Sequence, residues 1–153
     1  MRFLLCFLLA AISLCAEFRA IEMTVTGMDC ISCVTGLSTK LQRLRGVEAV
    51  AVLAEKGLVT LKLAAGNKVQ IDRVRDEIKA VGFNPRDARV TVTGRAVSTN
   101  GKMLFTPDGS TVAFVLSGAA VEPAELITIE GTQPVPATPQ DALQIVVISA
   151  KRD

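Results

Sequence analysis

Two stretches of this sequence carry the apolar spacing of an amphipathic helix, and each follows a stretch with strand character. In both, four apolar residues lie three, four and three residues apart, which places them on one helix face. They are Val34, Leu37, Leu41 and Leu44 in the first, and Ile71, Val74, Ile78 and Val81 in the second. Gly46 and Gly82 come directly after these stretches and favour helix ends. The sequence therefore predicts helices over Val34–Arg45 and Ile71–Val81.

Strands are predicted before, between and after the two helices. Ile21–Thr26 alternates apolar and polar residues, as a half-buried strand does. Val47–Leu53 and Leu58–Leu63 flank a short turn and predict a hairpin, and a fourth strand is expected from about Arg86. The order β-α-β-β-α-β is that of a ferredoxin-like domain, in which both helices cover one face of an antiparallel sheet. The predicted fold class is therefore α+β, with this domain at residues 17–87.

Residues 88–153 show no helical period and predict a small all-β domain. Five short apolar stretches alternate there with turn-forming residues. They are Arg89–Val97, Lys102–Thr106, Thr111–Leu116, Leu126–Glu130 and Leu143–Ser149. Such a set of strands is typical of an OB-like barrel or an open roll. No flexible linker precedes it, and one continuous strand through Arg86–Val97 would serve both units, so a fixed arrangement of the two is expected.

The first sixteen residues, MRFLLCFLLAAISLCA, have the composition of a signal peptide. A basic residue precedes an apolar core, Phe3–Leu14, that is too short to span a bilayer. Ala16 is the predicted cleavage residue, which would start the mature chain near Glu17. The prediction is export to the periplasm or the extracellular space. The alternative is a membrane anchor formed by this segment or by a lipid on Cys15.

A pair of cysteines lies where the first strand gives way to the first helix. The stretch Gly27–Cys33 reads GMDCISC, which places Cys30 on a loop and Cys33 on the opening helical turn. The positive helix end favours thiolate over thiol, and thiolates select soft ions such as Cu(I) and also Zn(II). Two sulfurs suffice for near-linear Cu(I) or Hg(II), whereas a structural zinc site needs four ligands. Without a metal, an exported protein can hold such a pair as a disulfide.

The composition excludes several classes of function. The chain has no His, which rules out an imidazole base, a Ser-His pair and a His metal ligand within it. It also has no Trp and no Tyr, so an aromatic stacking platform for nucleic acid is not expected. A net charge of +2 argues against a general phosphate-binding surface. The sequence predicts a protein that is not an enzyme and has no nucleic-acid partner.

Three separated landmarks resemble the heavy-metal-associated domain. They are Gly27–Cys33, then Leu44-Arg45-Gly46-Val47 before the second strand, and Ala80-Val81-Gly82-Phe83 after the second helix. The family includes copper chaperones, the amino-terminal domains of metal-transporting ATPases and the periplasmic mercuric-ion binding protein. The resemblance covers about residues 20–87 and does not extend to the β-rich remainder.

The resemblance implies roles for individual residues of the motif. It implies that Cys30 and Cys33 bind the metal, that Met28 packs under the loop without ligating, and that Phe83 lies near the site. Asp29 stands where copper-handling members commonly have Thr or Ser, while some relatives that transport zinc, cadmium or lead have Asp. The resemblance thus makes Asp29 a candidate third ligand. The alternative for Asp29 is a solvated loop acid or a charge at the helix N-terminus.

The function predicted from these features is capture or transfer of a soft metal ion outside the cytoplasm. Cu(I) is the expected ion, with Zn(II) or Hg(II) as alternatives. The expected partner is a metal-transporting membrane protein or another metal-binding domain. Two other functions stay open: a redox module that uses Cys30 and Cys33 as a dithiol, and an adaptor whose β unit binds a partner. Oxidoreductases of the thioredoxin type usually carry a Trp beside the motif, and this chain has none.

Overall fold

Eight strands and two α-helices follow one another along residues 17–152, the part of the chain that the computed structural model describes. The strands are β1 Glu17–Thr26, β2 Val47–Leu53, β3 Leu58–Leu63, β4 Asn84–Thr99, β5 Lys102–Pro107, β6 Phe114–Gly118, β7 Ala124–Gln133 and β8 Gln144–Arg152. The helices are α1 Ile31–Gln42 and α2 Ile71–Ala80. The predicted α+β class is confirmed. The predicted leader, with Cys6 and Cys15, lies outside the described residues.

The first half of the chain has the predicted β-α-β-β-α-β order. Its strands pair antiparallel in the order β2-β3-β1-β4, while α1 packs on β2, α2 packs on β4, and the helices touch each other. Neither helix in the described range is long and apolar enough to cross a membrane. Alternation along the strands buries one sheet face against the helices. The residues buried there include Ile21, Met23, Val25, Val59, Leu61, Leu37, Leu41, Val74 and Ile78.

Helix α1 begins and ends three residues earlier than the apolar spacing predicts. It begins at Ile31 because Cys30 already caps the helix with its side chain. Beyond Gln42, tighter turns replace the helical bonds, with Arg43 N–H donating to the carbonyl of Lys40 over 3.2 Å. Leu44 still packs against the core from this turn. The apolar stripe thus identified the buried face correctly and the helix ends incorrectly.

Strand β4 runs from Asn84 to Thr99 and belongs to both halves of the molecule. Along one edge it pairs first with β1, over residues 84–93, and then with β5, over residues 94–99. Along its other edge it pairs with β7 over residues 88–96. The expectation of one continuous strand through Arg86–Val97 is therefore confirmed.

The remaining pairings join five strands in a ring. Strand β5 pairs with β6, β6 pairs in parallel with β8, β8 pairs with β7, and β7 returns to β4. Strand β6 begins at Phe114, three residues later than predicted, because a turn precedes it in which the Val112 N–H donates to Ser110 Oγ over 3.0 Å. The OB-like barrel stays a prediction.

A buried arginine connects α2 to the ring. Arg75 Nη1 donates to Gln133 Oε1 over 3.0 Å, and Nη2 donates to the carbonyl oxygens of Gln133 and Pro134 over 3.3 and 3.2 Å. Burial lowers the pKa of Arg75 from its usual value, and the nearby carboxylates of Asp72 and Asp87 act in the opposite direction. Arg75 thus provides three polar contacts between the two halves in addition to the shared strand.

Substituting Arg75 with alanine is expected to lower the free energy of unfolding by about 1–3 kcal/mol, because buried acceptors lose their donor. Urea denaturation followed by circular dichroism measures this. Arg73→Ala is the matched control, since Arg73 forms an exposed ion pair with Glu77 at 2.7 Å, and such pairs contribute about 0.2–1 kcal/mol. Equal losses for the two variants would show that the contacts of Arg75 with Gln133 add nothing to stability.

Candidate metal centre

The loop between β1 and α1 depends on a glycine. Gly27 has a φ of +86°, a conformation that residues with a side chain adopt rarely. The chain thereby turns sharply out of β1, and the next residue, Met28, points into the core with 9% of its surface exposed. Asp29, which follows, is exposed. Gly27 therefore separates a strand that belongs to the core from a loop that presents polar groups to solvent.

Cys30 takes the N-cap position of α1. Its backbone is extended, with φ −114° and ψ 112°, and its Sγ accepts a hydrogen bond from the backbone N–H of Cys33 over 3.3 Å. Most N-caps use an oxygen of Ser, Thr, Asp or Asn for this bond. Ser32 adds a second contact, with its Oγ 3.1 Å from Cys30 Sγ. The first cysteine sulfur therefore lies at the positive end of the helix, close to two polar groups.

Cys33 brings the second sulfur to the same point. The Sγ atoms of Cys30 and Cys33 are joined in a disulfide, and the Cα atoms are 5.2 Å apart. Both residues are half-buried, and Cys33 packs against the core. The first turn of α1 contains no acidic residue, so nothing in it opposes the positive helix end, which favours thiolates once the bond is reduced. Reduction would present two thiolates to one ion.

Asp29 directly precedes this pair in the chain. It precedes the cap and lies exposed on the loop. Within residues 17–152, no group of three or more Cys, His, Asp or Glu residues is arranged to hold a metal ion. The structure thus brings Cys30 and Cys33 together, and does not bring Asp29 into a three-ligand cluster with them. The role of Asp29 as a third ligand stays a prediction.

Met28 and Phe83 lie beneath the loop. Both belong to the buried core, with 9% and 4% of their surface exposed. Thr26 pairs with Asn84 between β1 and β4, which places Phe83 at the same end of the sheet as the cysteines. The backbone of Phe83 is fixed by its N–H, which donates to the carbonyl of Ile78 over 3.2 Å. These positions agree with the supporting roles that the resemblance implies.

Two residues in the first turn of α1 were not singled out by the sequence. Ser32 contacts the sulfur of Cys30, and Ile31 has 86% of its surface exposed between the two cysteines. The contact of Ser32 could have been expected from its position, two residues after a cysteine at the start of a helix. Hydroxyl side chains commonly form hydrogen bonds with groups two residues away at such places. Ile31 carries no such signal, because exposure of a single apolar residue has no sequence signature.

Comparison with protein families finds a match within the first half of the chain. Residues 22–84 match the family model of the heavy-metal-associated domain, and every candidate site residue lies inside the match. A search of curated proteins found no significant match.

Solved structures similar to part of the chain include metal-transport domains. One is a copper-binding domain of HMA7, a P-type ATPase, with 26% identity over 47% of this chain and 92% of that one, at a TM-score of 0.40. Another is the yeast copper transporter domain Ccc2a in its apo and Cu(I) states, with 25% identity, 44% and 90% coverage and a TM-score of 0.40. A third is the amino-terminal domain of the zinc(II) ATPase ZiaA in its apo form, with 29% identity, 45% and 64% coverage and a TM-score of 0.39.

Proposed function

We propose, from the heavy-metal-associated domain that residues 22–84 form, that this protein captures or transfers a soft metal ion through the thiolates of Cys30 and Cys33 and is not an enzyme. The observation that carries the proposal is the position of the two sulfurs. They meet at the positive end of α1, which Cys30 caps with its own sulfur, after a loop that turns at Gly27. A half-exposed dithiolate in such a place is suited to an ion that must enter and leave.

Cu(I) is the ion that best fits a donor set of two thiolates. A soft monovalent d¹⁰ ion is satisfied by two thiolates, whereas Zn(II) in a closed site takes four ligands. Hg(II) is also satisfied by two sulfurs and is the second candidate, with Zn(II) third. The absence of His from the chain leaves sulfur as the soft donor that the protein itself supplies at this site.

The surrounding residues have separate tasks in this proposal. The Cys33 N–H and the Ser32 hydroxyl lie beside Cys30 Sγ and orient that sulfur. Met28 and Phe83 support the loop from the core and remain outside the ligand set. The exposed first turn of α1, which carries Ile31, is where a second protein would approach. A metal-transporting membrane protein or another metal-binding domain is the proposed partner for exchange of the ion.

Two further parts of the proposal concern residues outside the metal domain. We place the protein outside the cytoplasm after cleavage near Glu17, because the composition of residues 1–16 is that of a signal peptide. We also propose that the ring of β4, β5, β6, β8 and β7 is an OB-like barrel. Its strand order, including the parallel pairing of β6 with β8, supports this.

A thiol-disulfide redox module is the second candidate function, and the joined state of Cys30 and Cys33 favours it. Competition titrations separate the two. The reduced protein is titrated anaerobically with Cu(I), Hg(II) and Zn(II) against chelators of known affinity, and the oxidised protein is the control. The expected result is one ion per chain for the reduced form and loss of that binding on oxidation. Equal, weak binding by both forms, with a reduction potential in the range of known oxidoreductases, would favour the redox module instead.

Asp29→Ser is expected to weaken Zn(II) binding and to leave Cu(I) binding nearly unchanged. A carboxylate is a harder ligand than a thiolate, and its attraction scales with the charge of the ion, so it should help a divalent ion more. Titration of the parent protein and of the Asp29→Ser variant with Zn(II) and with Cu(I) measures the two changes in affinity. Equal losses for the two ions would mean that Asp29 acts through the loop or the helix end and is not a ligand.

A further inference from the structure

One strand of the sheet has an open edge. Within residues 17–152, every strand except β2 pairs with at least two others, because the ring closes the far side of the sheet and β7 covers the outer edge of β4. Strand β2 pairs with β3 alone. Its other edge therefore presents the backbone groups of Val47–Leu53 without a neighbouring strand. An edge of this kind is a template for pairing with another chain.

The composition of β2 is unusual for an exposed edge. Strands with one solvated face alternate apolar and polar residues, and the neighbouring strand β3 does so, with Thr60 and Lys62 on its outer face. In β2 the exposed outer residues are Ala49, Ala51 and Leu53, and Leu53 has 45% of its surface exposed. Natural edges are commonly blunted by charged residues, proline or bulges; β2 has such features only at its start, at Glu48, and none over Ala49–Leu53.

We propose that β2 pairs antiparallel with β2 of a second copy of this chain. The ladder would run over Ala49–Leu53, because the start of the strand is already occupied: Glu48 and Ala49 form a bulge, and Gln42 Nε2 donates to the Glu48 carbonyl over 3.2 Å. Full overlap of this segment centres the two-fold axis on Ala51. Ala51 then faces Ala51, and Ala49 of each copy faces Leu53 of the other. The contact is isologous and closes as a dimer.

Charges at the two ends of the ladder agree with this register. Antiparallel pairing brings the residues before β2 in one copy towards the residues after β2 in the other. Glu48, which also forms an ion pair with Lys62 of its own chain at 3.5 Å, lies near the first end, and Lys56 follows the second. Arg45, three residues before Glu48, and Glu55 form a second such combination. Both combinations unite opposite charges, so the dimer gains a complementary rim around an apolar centre.

The inference is independent of the metal-binding proposal, since it uses other residues. Leu53, at the end of β2, pairs with Leu58, which pairs with Thr24, so β2 points towards the cysteine end of the sheet. In an antiparallel dimer the two cysteine pairs therefore lie at opposite ends of the ladder. Dimer formation should leave both metal sites open and should not change their affinity.

Sedimentation velocity over a wide range of concentrations, in reducing buffer without metal, tests the proposal. The full chain is expected to show a monomer–dimer equilibrium. Ala51→Lys and Ala51→Glu should each weaken dimerisation, by roughly fivefold or more, because each places like charges face to face across the axis. A mixture of the two variants should restore association, since lysine then faces glutamate. Circular dichroism and metal titration should be unchanged, because Ala51 is exposed and lies on a strand that contributes no proposed ligand.

Thr24→Lys is the matched control. Thr24 lies exposed on the outer face of the interior strand β1, so this variant adds the same charge to the same face of the sheet but away from its open edge. It should leave the dimerisation constant unchanged. A chain that stays monomeric at every concentration would overturn the proposal. So would an equal effect of Thr24→Lys and Ala51→Lys, or a mixture of the two Ala51 variants that does not associate.

Discussion

Replacing Cys30 or Cys33 with serine is expected to lower the affinity for Cu(I) by roughly 100-fold or more, since loss of a supporting partner of a ligand alone costs 10–100-fold. A hydroxyl is a harder donor than a thiolate and does not ionise at neutral pH, so a single sulfur would remain for an ion that needs two. Competition with a Cu(I) chelator under anaerobic, reducing conditions measures the change. The fold should persist, because a serine at position 30 can cap α1 as readily as the present sulfur.

Ser32→Ala is the matched control for the cysteine variants. It removes the hydroxyl that lies 3.1 Å from Cys30 Sγ while leaving both sulfurs in place. We expect it to change the affinity by less than about tenfold, as a neighbouring group would and a ligand would not. Losses of the same size in Ser32→Ala and Cys33→Ser would contradict the assignment of the two thiolates as the ligands.

Replacing Gly94 with alanine is expected to lower the free energy of unfolding by about 3 kcal/mol, at the upper end of the range for overpacking. Gly94 lies in β4 where β5 begins its pairing, and an added Cβ would come 2.7 Å from Pro107 Cα and 2.8 Å from the ring atom Cζ of Phe105. The first contact is with backbone, so relief requires β5 to move. Urea unfolding followed by circular dichroism measures the loss.

Gly36→Ala is the control for the glycine variant. Gly36 lies inside α1, and a Cβ there would meet nothing within 4 Å. Alanine is favoured over glycine in a helix interior by about 1 kcal/mol, so this variant should be slightly more stable than the parent. A Gly94→Ala protein as stable as the parent would show that β5 moves away from β4 at little cost.

The bounds of β2 and β3 and the buried faces of α1 and α2 were predictable, because local patterns determine them. Glycines mark the ends, and apolar periods of two and of 3.6 residues mark the faces. The start of α1 was missed because its cap is a cysteine sulfur, which is not among the usual capping groups. The cysteine pair itself was visible from spacing alone, whereas the contact of Ser32 with Cys30 needed the geometry of the turn.

The sequence predicted a small barrel or open roll of strands after residue 88, but the order in which those strands pair could not be predicted from it. Alternation along β6 and β8 tells which side of each strand is buried, and gives no information on which strands lie beside each other. The bond from Arg75 to Gln133 joins residues 58 positions apart and likewise has no local signature. From the sequence alone, an arginine in a helix is expected on the solvated face, since charged residues are seldom fully buried.

Strand β4 has a consequence for how this protein can be divided. Residues 88–93 bond to β1 on one side and to β7 on the other. A cut at residue 87 would therefore not release the metal domain as a portable module. It would leave β1 without most of its partner in β4, whereas β7 would keep its own partner, because residues 88–96 lie on the other side of the cut. Grafting the metal site into another protein requires the chain to at least residue 93, and a new cover for the edge that β7 leaves behind.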